Sequence, residues 1–369
     1  MFKFKETPIK FVLRKLYGIT LGFLALGNAI APKKKKLSVH YAGALAGDVG
    51  GTLVKIQRLN AIFPESRWRY NQLYTLSNCA YLPKWSLRFL KFRGIPIVSN
   101  QNGVFYSGWY EGSWKRRNKT MSAAYHLADF VFWQSSFCRD AADKFLGKRL
   151  GDGEILFNAV DLNRFHPAVK RISDKDRMPF SFLITGKFAQ NLYYRIESSI
   201  AGVAKARKDG LNIVLRVAGW VEHPSIVGKL AEKYGVESSV IYLGPYKQEN
   251  APKIYQSADA YIITKYMDPC PNVVVEAMAC GLPILYSNSG GIPELVGEGA
   301  GVGLNVPTDW DKIYVPSEGQ ISQGMFTIME NRKSMEIEAR RKAEKDFDIE
   351  AWIERHRTIF SIIRKDYQQ

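Results

Sequence analysis

The chain of 369 residues is poor in cysteine and histidine, with four residues of the first type and five of the second. The cysteines are Cys79, Cys138, Cys270 and Cys280. They form no CxxC pair and no group of histidines lies beside them, which argues against a zinc site. Scattered thiols in a chain of this length are typical of reduced, mostly buried residues in a cytosolic protein. The chain also lacks a GxGxxG and a GxxxxGK[ST] motif, which weakens a dinucleotide-binding or ATP-hydrolysing interpretation.

The N-terminal 36 residues hold an uncharged run, but it is short. It covers 16–31, fewer than the ~20 residues that a helix needs to cross a bilayer. Apolar residues nevertheless recur at near-helical spacing before and within this run. They are Ile9, Val12, Leu13, Leu16, Tyr17, Phe23 and Leu24. The segment therefore predicts an amphipathic helix.

Three interpretations of this segment compete. A secretory signal fits the basic start and the triplet Ala29-Ile30-Ala31, but Pro32 follows the cleavage point and the lysines after it oppose translocation. A helix buried in the core is the second interpretation. We favour the third, an interfacial or shallowly inserted helix whose flanking lysines, including Lys33 to Lys36, meet anionic lipid headgroups.

Acidic residues are under-represented, since 35 Asp+Glu stand against 52 Lys+Arg for a formal net charge of +17. A surplus of this size favours anionic partners. No RNA-recognition, zinc-finger or basic-zipper pattern accompanies it, so we expect no nucleic-acid partner. Phosphorylated ligands and an anionic membrane are the partners that the charge favours.

After residue 36 the chain alternates short apolar strands with helical stretches. The predicted strands are 37–40, 72–76, 95–99, 130–134 and 154–157, followed by 180–185, 213–218, 240–243, 260–264 and 284–286. Alternation of this kind predicts α/β architecture with right-handed βαβ units and parallel sheets. Because 369 residues exceed one ordinary core, we expect two such domains facing across a cleft. Ligands of parallel α/β sheets bind beyond the carboxyl ends of the strands, and the candidate residues follow strands.

Two loops could hold phosphate groups. In the first, Gly50 and Gly51 precede a predicted helix at 51–60, where exposed backbone and a helix N-terminus suit an anion. A tight glycine turn with no ligand remains the alternative there. In the second, Gly186 and Lys187 end a strand and Arg195 opens the next helix, so that two cations could neutralise a diphosphate.

The stretch 268–294 carries the most informative pattern. Asp268 and Glu276 are eight residues apart and flank a helix start at Pro271-Asn272, with Gly281 as the C-terminal stop. Free N–H groups are expected at 272–274, including Val273. Carboxylates accept the paired hydroxyl donors that a sugar and a ribose offer. The pattern therefore favours a site that holds a sugar, a ribose and a diphosphate.

At these residues the sequence resembles family 4 glycosyltransferases, the retaining GT-B group that uses nucleotide-sugar donors. The resemblance covers about residues 37–360 and is strongest in PNVVVEAMACGLPI with SGGIPE. It is supported by NAVDLNRFHP at 158–167 and by the closing EKDFDIEAWIERHRTIF. It implies the GT-B fold with two Rossmann-like domains. The bounds it suggests are a membrane-associating segment 1–36, an acceptor domain 37–168, a linker 169–178, a donor domain 179–345 and a crossover helix 346–369.

The resemblance also implies roles for residues around the donor. Glu276 matches the glutamate that binds the ribose, and Asp268 occupies the position of the glutamate that touches the donor sugar, with a shorter side chain. Pro271, Asn272 and Val273 lie in the same motif.

The diphosphate residues of the family correspond to Gly186-Lys187 and Arg195, with a longer spacing to the arginine than is usual. Gly50-Gly51 match the donor-phosphate loop. Asn102-Gly103 stands where many members have His-Gly. The asparagine can hydrogen-bond a sugar hydroxyl but cannot titrate near neutral pH.

The implied activity is transfer of a hexose-type sugar with retention of configuration and without metal or other cofactor. We expect an acceptor that is a lipid-linked or cell-surface glycan, because aromatics lie beside cations over 105–121 and the N-terminal membrane segment is on the same domain. An exposed basic loop with partly buried aromatics is the alternative for 105–121. The expected location is cytoplasmic, peripheral to the inner face of the membrane. The alternatives are a catalytically inactive GT-B-like scaffold, a basic nucleic-acid binder and another GT-B enzyme such as an epimerase or a phosphorylase.

Overall fold

The computed structural model describes residues 3–47, 51–168 and 179–367. Gly50 and the predicted linker 169–178 lie outside these residues. The chain divides into two compact units, one over Phe4–Phe157 with Glu350–Gln369 and one over Asn158–Ile349 with Met1–Lys3. They are called the N-terminal and the C-terminal unit below.

The N-terminal unit is built on a five-stranded parallel sheet of order β2-β3-β4-β6-β7. A separate parallel pair joins β1 to β5. The strands are β1 (Phe4–Lys5), β2 (Val39–His40), β3 (Gln72–Leu76), β4 (Ile97–Gln101), β5 (Tyr110–Glu111), β6 (Phe130–Trp133) and β7 (Asp152–Ile155). Strands β3 and β4 are buried along their whole length, as the central strands of a sheet with both faces covered must be.

Five helices of this unit connect the strands. They are α1 (Pro8–Ile30), α2 (Gly51–Ile62), α3 (Lys84–Phe92), α4 (Trp114–Leu127) and α5 (Ser136–Leu146). Helix α1 starts at the N-cap Thr7, whose side chain accepts the Lys10 N–H, with Pro8 in its first turn. Among the described helices, none combines the length and the apolar content that crossing a bilayer requires.

The C-terminal unit has a six-stranded parallel sheet of order β10-β9-β8-β11-β12-β13. Its strands are β8 (Phe180–Phe188), β9 (Ile213–Val221), β10 (Val240–Gly244), β11 (Ala260–Ile263), β12 (Ile284–Asn288) and β13 (Gly301–Asn305). Its helices are α6 (Tyr193–Lys208), α7 (Ser225–Lys233), α8 (Ala251–Gln256), α9 (Asn272–Ala279), α10 (Ile292–Val296) and α11 (Glu318–Asp346). The last strand lies in a segment for which the sequence predicted none.

Apolar side chains from β8, β9, α6 and α11 form the core of this unit. Strand β8 is buried on both faces from residue 181 to residue 185, and Phe182, Leu183 and Ile184 are fully buried. Gly202 of α6 lies against Ile321 of α11, because a Cβ there would come within 2.2 Å of the Ile321 side chain. This close helix contact fixes α6, which carries one of the candidate phosphate-binding residues.

The final helix, α12 (Ile349–Asp366), belongs to the N-terminal unit and buries His356 among its aromatic residues. The His356 Nδ1 donates to the Trp352 carbonyl at 2.8 Å, so Nε2 accepts the Tyr74 hydroxyl at 3.0 Å. Burial, with a smaller contribution from Lys55, lowers the pKa of His356 from 6.5 to about 3. The imidazole is therefore neutral in the folded chain.

Because His356 is buried and neutral, we expect the folded chain to lose stability in acid. Below pH 6.5 His356 becomes protonated in the unfolded chain but stays neutral in the folded chain. The free energy of unfolding therefore falls as the pH is lowered. Between pH 6.5 and pH 5 we expect a loss of about 2 kcal/mol from this residue. Melting temperatures of the wild type and of His356→Gln measure it. Parallel pH profiles for the two proteins would contradict the assignment.

Candidate donor-binding site

The candidate residues of the C-terminal unit gather where β8, β11 and β12 end. These three strands are neighbours in the sheet, so the segments that follow them meet at one edge. The Gly291 N–H donates to the Asp268 carbonyl at 2.9 Å. A Cβ at Gly290, which has φ +72°, would lie 2.5 Å from the same oxygen. The glycine turn after β12 is therefore packed against the acidic segment after β11, and only glycine fits there.

Glu276 lies on α9 and is 5% exposed. One carboxylate oxygen accepts the Tyr255 hydroxyl at 2.9 Å and the other accepts the Gln248 side-chain N–H at 3.0 Å. The carboxylate is thus held in one orientation by neutral donors, and carboxylate oxygens are acceptors for hydroxyl groups.

Two tyrosines, the buried Tyr255 and the half-buried Tyr246, lie near this carboxylate. Burial, followed by the charge of Glu276, raises the pKa of Tyr255 well above its usual value and also raises the pKa of Tyr246. The Tyr255 hydroxyl also contacts the Thr185 hydroxyl at 3.2 Å. Because Tyr255 stays protonated across the physiological range, it remains a hydrogen-bond donor to Glu276.

Asp268 is 8% exposed and lies on the loop before α9. One of its oxygens pairs with the Lys265 ammonium at 2.5 Å, and the other accepts the Cys270 N–H at 3.1 Å. The preceding residue, Met267, has φ +51°, a conformation that is costly for a side chain of this type. The Met267 N–H donates to the Ser289 hydroxyl at 3.1 Å, which holds this turn in place.

The N-terminus of α9 lies between these two acids. The helix starts at Asn272 with Pro271 as its N-cap, and no side chain caps it. The Val274 N–H donates to the Pro271 carbonyl at 3.0 Å, so the expectation of a free donor at residue 274 was wrong: the first turn closes tightly enough to use it. The N–H groups of Asn272 and Val273 belong to the first helical turn, whose donors lack intrahelical acceptors.

Asn158 fixes the loop before α9, a role that no local sequence pattern predicts for this residue. Its side-chain N–H donates to the Cys270 carbonyl at 2.7 Å. Its backbone N–H contacts the Cys270 sulfur at 3.3 Å. The first residue of the motif at 158–167 therefore holds the loop that carries Asp268, although the two are more than 100 residues apart in the sequence.

The candidate phosphate residues lie on β8 and α6. Gly186 pairs with Gly219 of β9, and a Cβ at Gly219 would lie 2.0 Å from the Gly186 carbonyl oxygen. Arg195 is 4% exposed, and its guanidinium lies over the Phe188 ring at 4.9 Å. A Cβ at Gly186 would meet Arg195 Nη1 at 3.3 Å. The structure thus brings the guanidinium against the backbone of Gly186.

Arg195 and Lys187 differ in their surroundings. Within the described ranges Arg195 has no carboxylate partner, one long hydrogen bond to the Thr185 carbonyl at 3.5 Å and an Nε with no acceptor. Lys187 is exposed, and its ammonium lies 5.0 Å from the centroid of the Trp220 ring. The Arg195 guanidinium is thus buried, whereas the Lys187 ammonium is exposed and lies over an aromatic ring.

Asn102 lies in the N-terminal unit, after β4. Its side-chain oxygen accepts the Gln134 amide at 2.8 Å and the Lys55 ammonium at 3.4 Å. Its own amide donates to the Asn78 oxygen at 2.8 Å. Asn78, Asn102 and Gln134 follow β3, β4 and β6, so they form a polar cluster at the carboxyl edge of this sheet. Lys55, 5% exposed, was missed by the sequence reasoning because its spacing in α2 is that of an ordinary helix.

Gly51 is the first residue of α2, as predicted, in the same unit as Asn102. The C-terminal unit contains the other described candidates. They are Gly186, Lys187, Arg195, Asp268, Pro271, Asn272, Val273 and Glu276.

The two parallel-sheet units define a class. Sucrose-phosphate synthase of Thermosynechococcus elongatus superimposes with a TM-score of 0.61 over 84% of this chain and 76% of that one, at 16% identity. Anabaena HepE, solved with UDP, gives a TM-score of 0.62 over 79% of each chain at 17% identity. The fold is that of the GT-B glycosyltransferases, and the predicted fold class is confirmed.

Within that class, residues 167–319 match the family described as Glycosyl transferases group 1. A D-inositol 3-phosphate glycosyltransferase of Mycobacteroides abscessus is 28% identical over 50% of this chain and 42% of its own. A glycogen synthase of Mycobacterium tuberculosis is 23% identical over 65% of this chain and 57% of its own. The chain spans less than two thirds of the length of these relatives. The match over residues 167–319 agrees with the glycosyltransferase resemblance predicted from the sequence.

Proposed function

We propose that the protein transfers a hexose-type sugar, with retention of configuration, from a nucleotide-sugar donor to a lipid-linked or cell-surface glycan. The observation that carries this proposal is the buried carboxylate of Glu276, held by Tyr255 and Gln248 on the helix whose N-terminus is uncapped. An oriented carboxylate beside free N–H groups suits a ribose next to a phosphate. These residues lie within the group 1 domain.

Each donor group has a candidate partner in the C-terminal unit. Glu276 accepts the ribose hydroxyls, and Asp268 accepts a hydroxyl of the donor sugar through the oxygen lone pairs left by its bonds. Arg195 and Lys187 neutralise the diphosphate beside the exposed backbone of Gly186. Their charges stabilise the diphosphate as it leaves.

The remaining donor contacts come from backbone groups. The first turn of α9, at Pro271, Asn272 and Val273, binds phosphate or sugar oxygens through N–H groups. Gly51, the first residue of α2, and Gly50, which precedes it in the sequence, contribute a second backbone surface for the donor phosphates. Gly50 is included on the sequence alone.

The known proteins support a nucleotide-sugar donor. HepE has been solved with UDP and with UDP-glucose, and other relatives are D-inositol 3-phosphate glycosyltransferases. The acceptor meets Asn102 in the N-terminal unit, where the side-chain amides of Asn78, Asn102 and Gln134 form a polar cluster with Lys55. We place the reaction on the cytoplasmic side, peripheral to the inner face of the membrane.

The transfer requires little from side-chain bases. In the proposed mechanism the donor ionises towards an oxocarbenium-like state, and the leaving phosphate accepts the proton of the incoming hydroxyl on the same face. The protein positions the two substrates and stabilises the charge of the diphosphate. Neither a metal nor another cofactor has a role in this proposal, because the cations of Arg195 and Lys187 carry the charge.

Donor turnover tests the proposal. The purified protein is incubated with UDP-, GDP-, ADP- and TDP-hexoses and a lipid extract, and release of nucleoside diphosphate is measured with and without EDTA. We expect turnover with one nucleotide, unchanged by EDTA, and an early product whose anomeric configuration by NMR matches that of the donor. Inversion would refute retention, and loss of activity in EDTA would refute the metal-free mechanism. Donor binding without turnover by any acceptor would favour the catalytically inactive scaffold.

A further inference from the structure

Helix α1 packs on the N-terminal unit through its small residues. A Cβ at Gly18 would lie 2.4 Å from the Tyr81 carbonyl oxygen, and one at Gly22 would lie 2.6 Å from the Trp85 ring. Ala25 and Ala29 continue this face and are 3% and 1% exposed. The buried face of α1 is therefore made of residues that allow close backbone approach, and substitution by larger residues would displace the helix.

A buried polar contact fixes the rotation of α1 about its axis. Asn28 is fully buried, donates its side-chain N–H to the Tyr70 carbonyl at 3.3 Å and accepts the Tyr70 N–H at 3.0 Å. Both bonds would be lost if the helix turned. The face that α1 presents outward is thus defined.

That outward face is the apolar one. Its large side chains are mostly more than half exposed: Ile9 72%, Val12 53%, Leu13 60%, Leu16 56%, Ile19 48%, Phe23 64%, Leu24 56% and Ile30 69%. A surface helix of a globular protein normally has the opposite arrangement, with large apolar residues inward. Contiguous exposed apolar surface of this extent is typical of an interaction site.

Helix α3 extends the same surface. The ring of Trp85, 43% exposed, lies 5.7 Å from that of Phe23. Phe92, about two helical turns further along α3, is 82% exposed. We call these residues and the outward residues of α1 the apolar face.

Positive charge surrounds the apolar face. Residues 1–36 contain nine lysines and arginines and one acid, Glu6, which pairs with Arg14. Lys10 and Lys15 are exposed near the start of α1, and Lys33 to Lys36 are exposed just after its end. On α3, Lys84 and Arg88 are also exposed. An apolar strip flanked by cations at both ends is complementary to a bilayer with anionic headgroups.

We infer that the apolar face is a membrane-docking surface on which α1 lies in the headgroup region of an anionic bilayer, with its small-residue face still packed on the protein. This inference deepens the proposed membrane location by naming the surface and the lipid charge that it needs. Trp85 suits the boundary between headgroups and acyl chains. A second copy of the chain is a poorer occupant, because two such faces would bring like charges together.

Sedimentation with vesicles tests the inference. The full chain is mixed with vesicles of phosphatidylcholine alone or with about 30% phosphatidylglycerol. We expect binding at least tenfold tighter to the anionic vesicles, as several lysines approach the surface together. The triple variant Leu13→Gln, Leu16→Gln, Leu24→Gln replaces three side chains that are exposed in the wild type. It should therefore keep its fold, while its binding to anionic vesicles falls more than tenfold.

Two further variants complete the test. Phe326→Gln, Ile337→Gln removes two exposed apolar side chains of α11, in the other unit, and should bind vesicles like the wild type. Lys10→Gln, Lys35→Gln, Lys36→Gln should lose the preference for anionic lipid. Equal binding by the leucine variant and the wild type would overturn the inference. The inference would also be overturned if the wild type bound neither kind of vesicle. A dimer of the wild type in ultracentrifugation that is absent in the leucine variant would overturn it as well.

Measurements on the same samples separate this inference from the proposed function. Nucleoside diphosphate binding is recorded for the wild type and the leucine variant. Vesicle binding without nucleotide binding would refute the proposed function and leave the docking surface in place. Nucleotide binding without vesicle binding would do the reverse.

Discussion

Glu276→Ala is expected to weaken binding of the nucleoside diphosphate about 100-fold or more. The carboxylate is the proposed acceptor for two ribose hydroxyls, and hydrogen bonds to a charged group contribute about 1.5–3 kcal/mol each. A loss of about 2.7 kcal/mol corresponds to a factor of 100 in Kd. Titration calorimetry of the wild type and the variant with the preferred nucleotide measures the effect.

Two variants control for loss of structure. Glu276→Ala removes one hydrogen-bond partner of the buried Tyr255 hydroxyl, which still contacts Thr185, so the melting temperature of the variant is measured in parallel. Tyr255→Phe keeps the carboxylate and should bind nucleotide more weakly than the wild type but more tightly than Glu276→Ala. Glu298→Ala removes an exposed carboxylate elsewhere and should bind normally. Wild-type affinity in folded Glu276→Ala would remove the ribose role.

Arg195→Met is expected to abolish the nucleotide-induced rise in melting temperature while leaving the ligand-free protein as stable as the wild type or more so. The guanidinium is buried, and within the described part of the chain no carboxylate pairs with it. Replacing a buried charge of this kind by an apolar side chain of similar length removes a desolvation cost. The same replacement removes the fixed cation proposed for the diphosphate. Loss of the ligand response together with unchanged or higher stability of the ligand-free protein is expected for a residue that serves ligand binding at the expense of stability.

Lys187→Met is the matched comparison for this effect. Lys187 is exposed, so its loss should leave the melting temperature unchanged and weaken nucleotide binding less than Arg195→Met does. Differential scanning fluorimetry with and without the nucleoside diphosphate reports both quantities. A large loss of stability in Arg195→Met with a normal nucleotide response would make Arg195 a structural residue only.

The sequence predicted most strands because buried parallel strands form continuous apolar runs. The prediction at 72–76 coincides with β3, and that at 260–264 ends one residue beyond β11. Strand β13 was missed because its sequence, GVGLN, has glycine at two positions. A Cβ at Gly301 would lie 2.1 Å from the Ile284 carbonyl oxygen, so the residue that obscures the strand pattern is required by the close approach of β12.

The candidate site was predictable only where its residues share one motif. Asp268, Asn272 and Glu276 lie within one stretch, so their spacing along α9 and its preceding loop could be inferred. The residues that hold them come from elsewhere: Gln248 is 28 residues from Glu276, and Asn158 is 112 residues from Cys270. Such partners are set by the packing of the sheet, and no local pattern distinguishes them from ordinary polar residues.

The apolar face illustrates a different limit. The sequence predicted an amphipathic helix over the N-terminal segment, and periodicity alone would place its large residues inward. Gly18, Gly22 and Asn28 reverse this arrangement, because they provide the close packing and the buried hydrogen bonds. Only their partners, Tyr81, Trp85 and Tyr70, show which side of α1 is covered.

The most direct test of the account is the melting temperature of the purified wild-type protein with a panel of UDP-, GDP-, ADP- and TDP-sugars. A ligand that binds only the folded state raises this temperature in proportion to the logarithm of its concentration over Kd. The account predicts a rise with the sugars of one nucleotide, and none with the same sugars in free form. No rise with any nucleotide sugar at millimolar concentration would contradict the proposal that this chain uses a nucleotide-sugar donor.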